Sequence, residues 1–200
     1  MDALHKNNAV QAHFDGSIAF LDLAMEGGAN KINSDFGVGL KEALDWALGL
    51  DGLKGIVLGT GHKDFCVGAD LDMLYKERSP KVIFDGCREL QGLFREIETC
   101  GVPVVCALTG SALGGGYELA LSCHHRIALN DPRVQVGLPE VLLGVIPGAG
   151  GTQRLPRMLG YQVALEYILQ GKLVRAPKAV KVGLIDALAE TREQLVEMAK

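Results

Sequence analysis

This 200-residue sequence has little of several things, and each scarcity excludes a class of protein. Lysine and arginine total 20 against 24 acidic residues, so the chain lacks the basic excess with which nucleic-acid proteins neutralise phosphates. No window approaches the roughly 18 consecutive apolar residues that a membrane span needs. Residues 1–8 mix charged, amide and apolar side chains and do not form an apolar leader. We therefore expect a cytoplasmic protein with neither a membrane span nor a nucleic-acid partner.

Cysteine and histidine are also sparse, with five of each. The cysteines include no CxxC pair and several lie in apolar runs, which is typical of reduced core thiols and agrees with a reducing compartment. Neither residue type shows metal-ligand spacing, so no metal site is predicted.

Hydrophobic residues make up 48% and charged residues 22%, which is ordinary globular composition. No low-complexity linker divides the chain, so residues 1–200 are expected to form one domain. The last segment, residues 190–200, begins an amphipathic helix without a terminating signal. This ending predicts that the domain is a fragment of a longer polypeptide.

Short apolar runs alternate with segments of helical spacing, and this alternation predicts an α/β domain. An Asp-Gly pair at 15–16 predicts a β-hairpin over residues 13–23. Ser34 is expected to cap the following helix, which extends to Leu50. The other predicted strands are 54–59, 103–108, 126–129 and 134–136, and the other predicted helices are 82–98, one from Leu71, one from Tyr117, and 162–200 with breaks at Gly171, Pro177 and Gly183.

The most informative segment is ALTGSALGGGYELALS at residues 107–122, where an apolar strand enters three successive glycines and then a helix. Gly114, Gly115 and Gly116 let a ligand approach the main chain, and the helix N-terminus adds free N–H groups. A tight turn without a ligand is the structural alternative. A second loop, KDFCVGADL at residues 63–71, also leads a glycine into a helix. Two such loops could each give one N–H to an oxyanion hole.

Two carboxylates accompany these loops. Glu118 lies about one helical turn past Gly115, so it can stand beside a ligand that the loop binds. Its alternative role is to complement the helix dipole. Glu140 lies among apolar residues in GLPEVLLGVIPGAGGTQRLP, where desolvation should raise its pKa and make it a proton donor. The alternative for Glu140 is a partly exposed loop acid.

These segments resemble the crotonase, or enoyl-CoA hydratase/isomerase, superfamily over nearly the whole chain. DFCVGADL resembles the first oxyanion loop of that family, ALGGGYELAL the second, and LPEVLLGVIPGAGGTQRLPRMLG the segment of the second glutamate. The likeness is strongest to the N-terminal hydratase domain of multifunctional fatty-acid oxidation alpha subunits. The resemblance implies a spiral of repeated β-β-α units whose C-terminal helical part is truncated here.

The resemblance also implies an activity, the hydration of 2-trans-enoyl-CoA to 3-hydroxyacyl-CoA in fatty-acid β-oxidation. Glu118 would activate water, Glu140 would protonate C2, and the N–H groups of Ala69 and Gly115 would form the oxyanion hole. The implied substrate-binding residues are Ala69, Asp70, Leu71, Gly115 and Gly148, with Gly148 placing the water. No cofactor is implied beyond the coenzyme A of the substrate. The implied partners are further copies in a homotrimer or a thiolase beta subunit.

One residue departs from the family pattern, and three other functions compete. Tyr117 stands where the family often has a smaller or aliphatic residue, which predicts a differently shaped pocket. Isomerisation of enoyl-CoA in the same fold is the first alternative. Thr109–Gly116 also matches the dinucleotide motif of short-chain dehydrogenases, but it lies too late in the chain and no tyrosine precedes a lysine by four residues. A serine hydrolase would use Ser111 or Ser122 with His124 or His125, but neither serine lies in a GxSxG sequence.

Overall fold

The fold is described from a computed structural model, which describes residues 3–200. Its strands are β1 Ala3–Lys6, β2 Val10–Phe14, β3 Ile18–Leu23, β4 Gly55–Thr60, β5 Val104–Leu108, β6 Ala112–Leu113, β7 His125–Leu129, β8 Gln135–Gly137, β9 Val174–Arg175 and β10 Ala187–Ala189. Its helices are α1 Ser34–Leu48, α2 Leu71–Lys76, α3 Pro80–Thr99, α4 Gly115–Ser122, α5 Gly151–Leu159, α6 Tyr161–Gln170, α7 Ala176–Ala179 and α8 Arg192–Ala199, with a 3-10 turn at Glu140–Leu143.

A seven-stranded sheet in the order β1-β2-β3-β4-β5-β7-β10 forms the centre of the domain. The first three strands are antiparallel and the remaining pairs are parallel. The predicted hairpin is present: Oδ1 of Asp15 accepts from the backbone N–H groups of Ser17 and Ile18 and so fixes the turn between β2 and β3. All six residues of β4 are buried, as expected for a central parallel strand.

Successive side chains of a strand point to opposite faces of the sheet and so pack into two different layers. On one face, Ile56 and Leu58 of β4 belong to the larger buried cluster, which includes residues of α1, α3 and α4. On the other face, Val57 joins a smaller cluster with Leu195 and Ala199 of α8. Helices on both faces of a mostly parallel sheet give the α/β class that the sequence predicts.

A second sheet of three short strands, in the order β6-β8-β9, lies beside the glycine-rich segment. Strand β6 pairs in parallel with β8, and the N–H of Gly114 extends this pairing by donating to the carbonyl of Gly137 at 2.9 Å. The small sheet therefore fixes the position of the chain just before α4 begins.

Three local predictions were wrong. Asn33, and not Ser34, caps α1, because its side chain accepts from the N–H of Phe36. Helix α4 begins at Gly115, two residues before Tyr117. The tail is not wholly helical, since it contributes β9 and β10. The sequence of β10, Ala-Leu-Ala, favours a helix, but β7 offers it a parallel edge, so tertiary pairing overrides propensity.

Within residues 3–200, no helix combines the length and the apolar character needed to cross a bilayer.

Candidate active site

Two loops meet beside the start of α4. The first loop, residues 61–70, joins β4 to α2, and the second loop, residues 109–114, joins β5 to α4 and contains β6. They are held together by backbone hydrogen bonds from Phe65 N to Ser111 O at 2.9 Å and from Leu113 N to Cys66 O at 3.0 Å. A Cβ atom added to Gly116 would overlap the carbonyl oxygen of Cys66. Glycine is required there because the two backbones touch.

The contact between the loops brings two unused N–H groups into one region. Ala69 forms an isolated parallel β-bridge with Ile32. In this bridge the N–H of Ile32 donates to Gly68 O and the N–H of Asp70 donates to Ile32 O, so the N–H of Ala69 is not used. The N–H of Gly115 is the first of α4 and has no intrahelical acceptor. A Cβ atom added to Gly68 would lie 3.7 Å from Gly115 N, so the two loops are in contact here. This geometry can supply two donors to one oxyanion.

Glu118 lies one turn into α4 with only 2% of its surface exposed. Its Oε1 accepts two backbone hydrogen bonds, from Ala149 N at 2.9 Å and Gly151 N at 2.7 Å. Its Oε2 would lie 3.9 Å from a Cβ on Gly115 and takes part in neither of these two hydrogen bonds. Burial raises the pKa of Glu118, and the two N–H donors oppose that shift by stabilising the carboxylate.

Glu140 begins the 3-10 turn, and its side chain approaches the same glycine segment at Gly114. A Cβ atom added to Gly114 would lie 3.0 Å from its Oε1. Both carboxyl oxygens are buried, and neither has a hydrogen-bond partner among the described residues. Burial raises the pKa of Glu140 to about 7, and the Glu118 carboxylate adds to the shift. The backbone N–H of Glu140 itself lowers this pKa in part, although it does not form a hydrogen bond with the carboxyl oxygens.

The other predicted site residues lie in two places. Gly148 lies near the Glu118 carboxylate in space, because its neighbour Ala149 donates to that side chain. Asp70 and Leu71 lie at the start of α2, where Oδ1 of Asp70 caps the helix by accepting from the N–H groups of residues 72 and 73. Leu71 is 51% exposed beside that cap.

Tyr117 does not shape the pocket in the way the sequence suggested. Its side chain is fully buried, and its hydroxyl donates to the carbonyl of Leu184 at 2.8 Å. Tyr117 and Glu118 are adjacent on α4 and therefore project from different sides of the helix. The expected change in pocket shape at Tyr117 was wrong, because the ring packs into the core.

The side chains of the alternative hydrolase site form hydrogen bonds with backbone groups instead. The hydroxyl of Ser111 donates to Arg133 O and accepts from Gln135 N. Nδ1 of His124 accepts from Val104 N at 3.0 Å. Both side chains are thus engaged in holding strands and loops together.

Asn30 is an important residue that the sequence analysis missed. It is fully buried, and its side chain accepts from Met25 N and donates to the carbonyl of Phe65 and the hydroxyl of Thr60. Its backbone carbonyl accepts from Val67 N at 3.0 Å. Asn30 therefore holds the first loop in place. An isolated asparagine in a loop carries no pattern that reveals such a role.

Replacing Asn30 by alanine should lower the free energy of unfolding by about 3 kcal/mol, because it leaves several buried polar groups without partners. Urea denaturation measures this change. The exposed Asn130 is the matched control, because its side chain hydrogen-bonds only to Glu190 among residues 3–200. Its alanine variant should stay within about 0.5 kcal/mol of the parent. Equal stability of the two variants would refute the role of Asn30.

Comparison with known proteins decides which family has this arrangement. The family model of enoyl-CoA hydratase/isomerase matches residues 13–200.

The chain belongs to the enoyl-CoA hydratase/isomerase family.

Solved structures of similar proteins have the same architecture as this family member. An enoyl-CoA hydratase of Geobacillus kaustophilus HTA426 superposes with a TM-score of 0.93 at 29% identity, over 100% of this chain and 76% of that one. The Bacillus anthracis enoyl-CoA hydratase gives a TM-score of 0.86 at 32% identity, over 96% of this chain and 74% of that one. These neighbours confirm the predicted fold class and the crotonase resemblance.

A curated relative of this enoyl-CoA hydratase/isomerase chain is the fatty acid oxidation complex subunit alpha of Shewanella halifaxensis strain HAW-EB4. It is 41% identical over 174 residues, which are 86% of this chain and 25% of that protein. The chain therefore spans about a quarter of the length of this relative.

Proposed function

We propose that this protein hydrates 2-trans-enoyl-CoA to 3-hydroxyacyl-CoA in fatty-acid β-oxidation. The proposal rests on one observation, the different hydrogen bonding of two nearby carboxyl groups. Glu118 accepts two N–H hydrogen bonds, which favour the ionised form, whereas Glu140 accepts none and burial raises its pKa to about 7. A base and an acid on the two sides of one glycine segment are what the addition of water to an activated alkene needs.

In this proposal the thioester carbonyl binds to the N–H groups of Ala69 and Gly115. Glu118 accepts a proton from water through Oε2, the oxygen that no backbone donor occupies, and the water oxygen adds to C3. The electron pair of the double bond moves toward the thioester, and the resulting enolate is stabilised by the two N–H groups. Glu140 then delivers its proton to C2. Each carboxyl group has changed its protonation state once, and solvent restores both.

The remaining site residues have supporting roles in the proposal. Gly148 lies next to the turn that binds Glu118 and would help to place the water. Asp70 and Leu71 would contact the substrate beside the Ala69 donor. No cofactor is proposed, because coenzyme A arrives as part of the substrate.

The proposed setting follows from the curated relative, which is one subunit of a fatty acid oxidation complex. We propose that this domain acts within such an assembly, either with a thiolase beta subunit or with further copies as a homotrimer. All five cysteines are free thiols, which supports a reducing, cytoplasmic setting.

The direct test is an assay of crotonyl-CoA hydration, followed by the loss of enoyl-thioester absorbance and by identification of the 3-hydroxy product. A 3-enoyl-CoA substrate in a parallel assay measures isomerisation. Turnover of crotonyl-CoA supports the proposal. Isomerisation of 3-enoyl-CoA without hydration would replace it with the isomerase alternative.

The rate constant kcat for hydration should fall as pH rises above about 7, because the proposed donor Glu140 must hold its proton before each turnover. The same shift contributes to folding stability at low pH. A carboxyl whose folded pKa is raised adds stability below about 4.5, and that contribution is lost as pH rises toward about 7. In Glu140→Gln, both pH dependences should disappear. Rate profiles and urea titrations between pH 4 and 9 measure them, and an unchanged alkaline limb in the variant would contradict the assignment.

A further inference from the structure

The turn at residues 148–151 separates Glu118 from a charged group that no step of the proposed reaction uses. On one side of the turn, the N–H groups of Ala149 and Gly151 bind the Glu118 carboxylate. On the other side, Nη1 of Arg154 donates to the carbonyl of Ala149 at 2.8 Å. One peptide segment is therefore held between a cation and a carboxylate.

The turn has a backbone shape that fits the guanidinium group. Gly150 has a φ of +111°, a region that residues with side chains rarely adopt. A Cβ atom added to Gly150 would also overlap Nη1 of Arg154. The arginine thus lies directly against the turn, with no room for another side chain.

Helix α3 holds both the arginine and the turn. Nε of Arg154 donates to Oε1 of Glu98 at 2.7 Å, and both side chains are largely buried, with 13% and 24% of their surfaces exposed. Gln91, on the same helix, adds a second attachment, because its Nε2 donates to the carbonyl of Gly148 at 2.7 Å. Helix α3 therefore holds the turn directly at Gly148 and, through Arg154, at Ala149.

We propose that Arg154, held by Glu98, is a positioning residue that sets the geometry and the ionisation of Glu118 through the turn at residues 148–151. This inference rests on the proposed function, in which Glu118 is the base. The turn aims two N–H groups at Oε1 and thereby leaves Oε2 for water. The positive charge behind the turn favours the carboxylate form, and Glu98 offsets part of that charge.

The groups that act on Glu118 come from each element packed against it. Arg154 of α5 lowers its pKa, as do the N–H groups of the turn. Glu140 of the 3-10 turn and Cys87 of α3 are the other titratable neighbours, and each has its own pKa raised by the Glu118 charge. Removal of the Arg154 charge should therefore raise the pKa of Glu118, whereas removal of the Glu98 charge should lower it.

These opposite signs provide the test. Arg154→Gln and Glu98→Gln keep polar side chains of similar length and each remove one charge. Arg154→Gln should move the titration of Glu118 to higher pH by about half a unit or more, and Glu98→Gln should move it to lower pH. Arg157→Gln is the matched control, because Arg157 is exposed on the same helix and, within the described residues, its side chain hydrogen-bonds only to Gln153. It should leave the titration unchanged.

Two readouts separate this inference from the proposed function. Carbon-13 NMR of the glutamate side-chain carboxyl groups measures the titration of Glu118 directly and needs no turnover, so it remains informative if the chain does not hydrate crotonyl-CoA. The acidic limb of kcat/KM for hydration measures the same titration in the working enzyme.

A further variant separates charge from geometry. Arg154→Lys keeps the charge but cannot bind Ala149 O and Glu98 together, so its Glu118 titration should stay near that of the parent while kcat falls about tenfold at nearly constant KM. Circular dichroism and urea denaturation check that each variant is folded. Opposite shifts in Arg154→Gln and Glu98→Gln support the inference. A Glu118 titration that is the same in the parent and in the folded Glu98→Gln variant would overturn it.

Discussion

Replacing Glu140 by glutamine should lower the rate of crotonyl-CoA hydration by a factor of about 10² or more, the usual contribution of a positioned general acid or base. Glutamine has nearly the same shape but carries no acidic proton for C2. The carboxyl oxygens of Glu140 have no hydrogen-bond partners among residues 3–200, so the substitution breaks no hydrogen bond within that range. The loss should therefore appear in kcat, with little change in KM and an unchanged fold.

The control for this variant is Glu166→Gln. Glu166 is an exposed glutamate that pairs with Lys172 on the surface, and nothing connects it to the two loops. It should hydrate crotonyl-CoA at the parental rate. If Glu140→Gln also retained that rate, Glu140 would not be the proton donor.

Replacing Gly115 by proline should lower hydration by about 10²- to 10³-fold, because it deletes one of the two proposed oxyanion donors. In other enzymes the loss of one such donor costs about 3–4 kcal/mol of transition-state stabilisation. Gly115 is the first residue of α4, where proline is tolerated because that N–H has no partner within the helix. The backbone of α4 should therefore survive the change.

The structure shows which control this experiment needs. Any side chain at position 115 places a Cβ atom 2.6 Å from Cδ1 of Ile32, so proline adds a steric conflict to the loss of the donor. Gly115→Ala carries the same conflict and keeps the N–H. Combining each substitution with Ile32→Val, which removes Cδ1, relieves the conflict in both.

The comparison within the Ile32→Val background isolates the donor. The alanine variant should retain most of the activity of that background, and the proline variant should remain about 10²-fold or more slower. Equal rates for the folded alanine and proline variants would place the oxyanion hole elsewhere.

The sequence revealed those parts of the site that depend on backbone chemistry and local order. Three successive glycines before a helix, and a carboxylate one turn later, are local patterns with direct physical meaning. Glu140 was recognisable because a charge among apolar neighbours is costly. The structure places all of these residues together.

The parts that the sequence did not reveal depend on contacts between distant segments. Asn30 binds Phe65, which is 35 positions away, and Arg154 binds Glu98, which is 56 positions away. No local pattern marks either residue. Likewise, β10 has a helical composition and becomes a strand only because β7 lies beside it. Tyr117 was misjudged because its neighbour Glu118 faces the site, whereas its own ring packs into the core.

Isotope incorporation tests the central claim most directly, namely that this chain adds water across the double bond of an enoyl thioester with two carboxylates. Crotonyl-CoA is incubated with the protein in deuterated, oxygen-18 water, and the product is analysed by mass spectrometry and NMR. The account predicts one oxygen-18 atom at C3 and one deuteron at C2 in a single configuration, and neither label with the Glu118→Gln, Glu140→Gln double variant. Labelled product formed equally fast by the parent and by that double variant would contradict it.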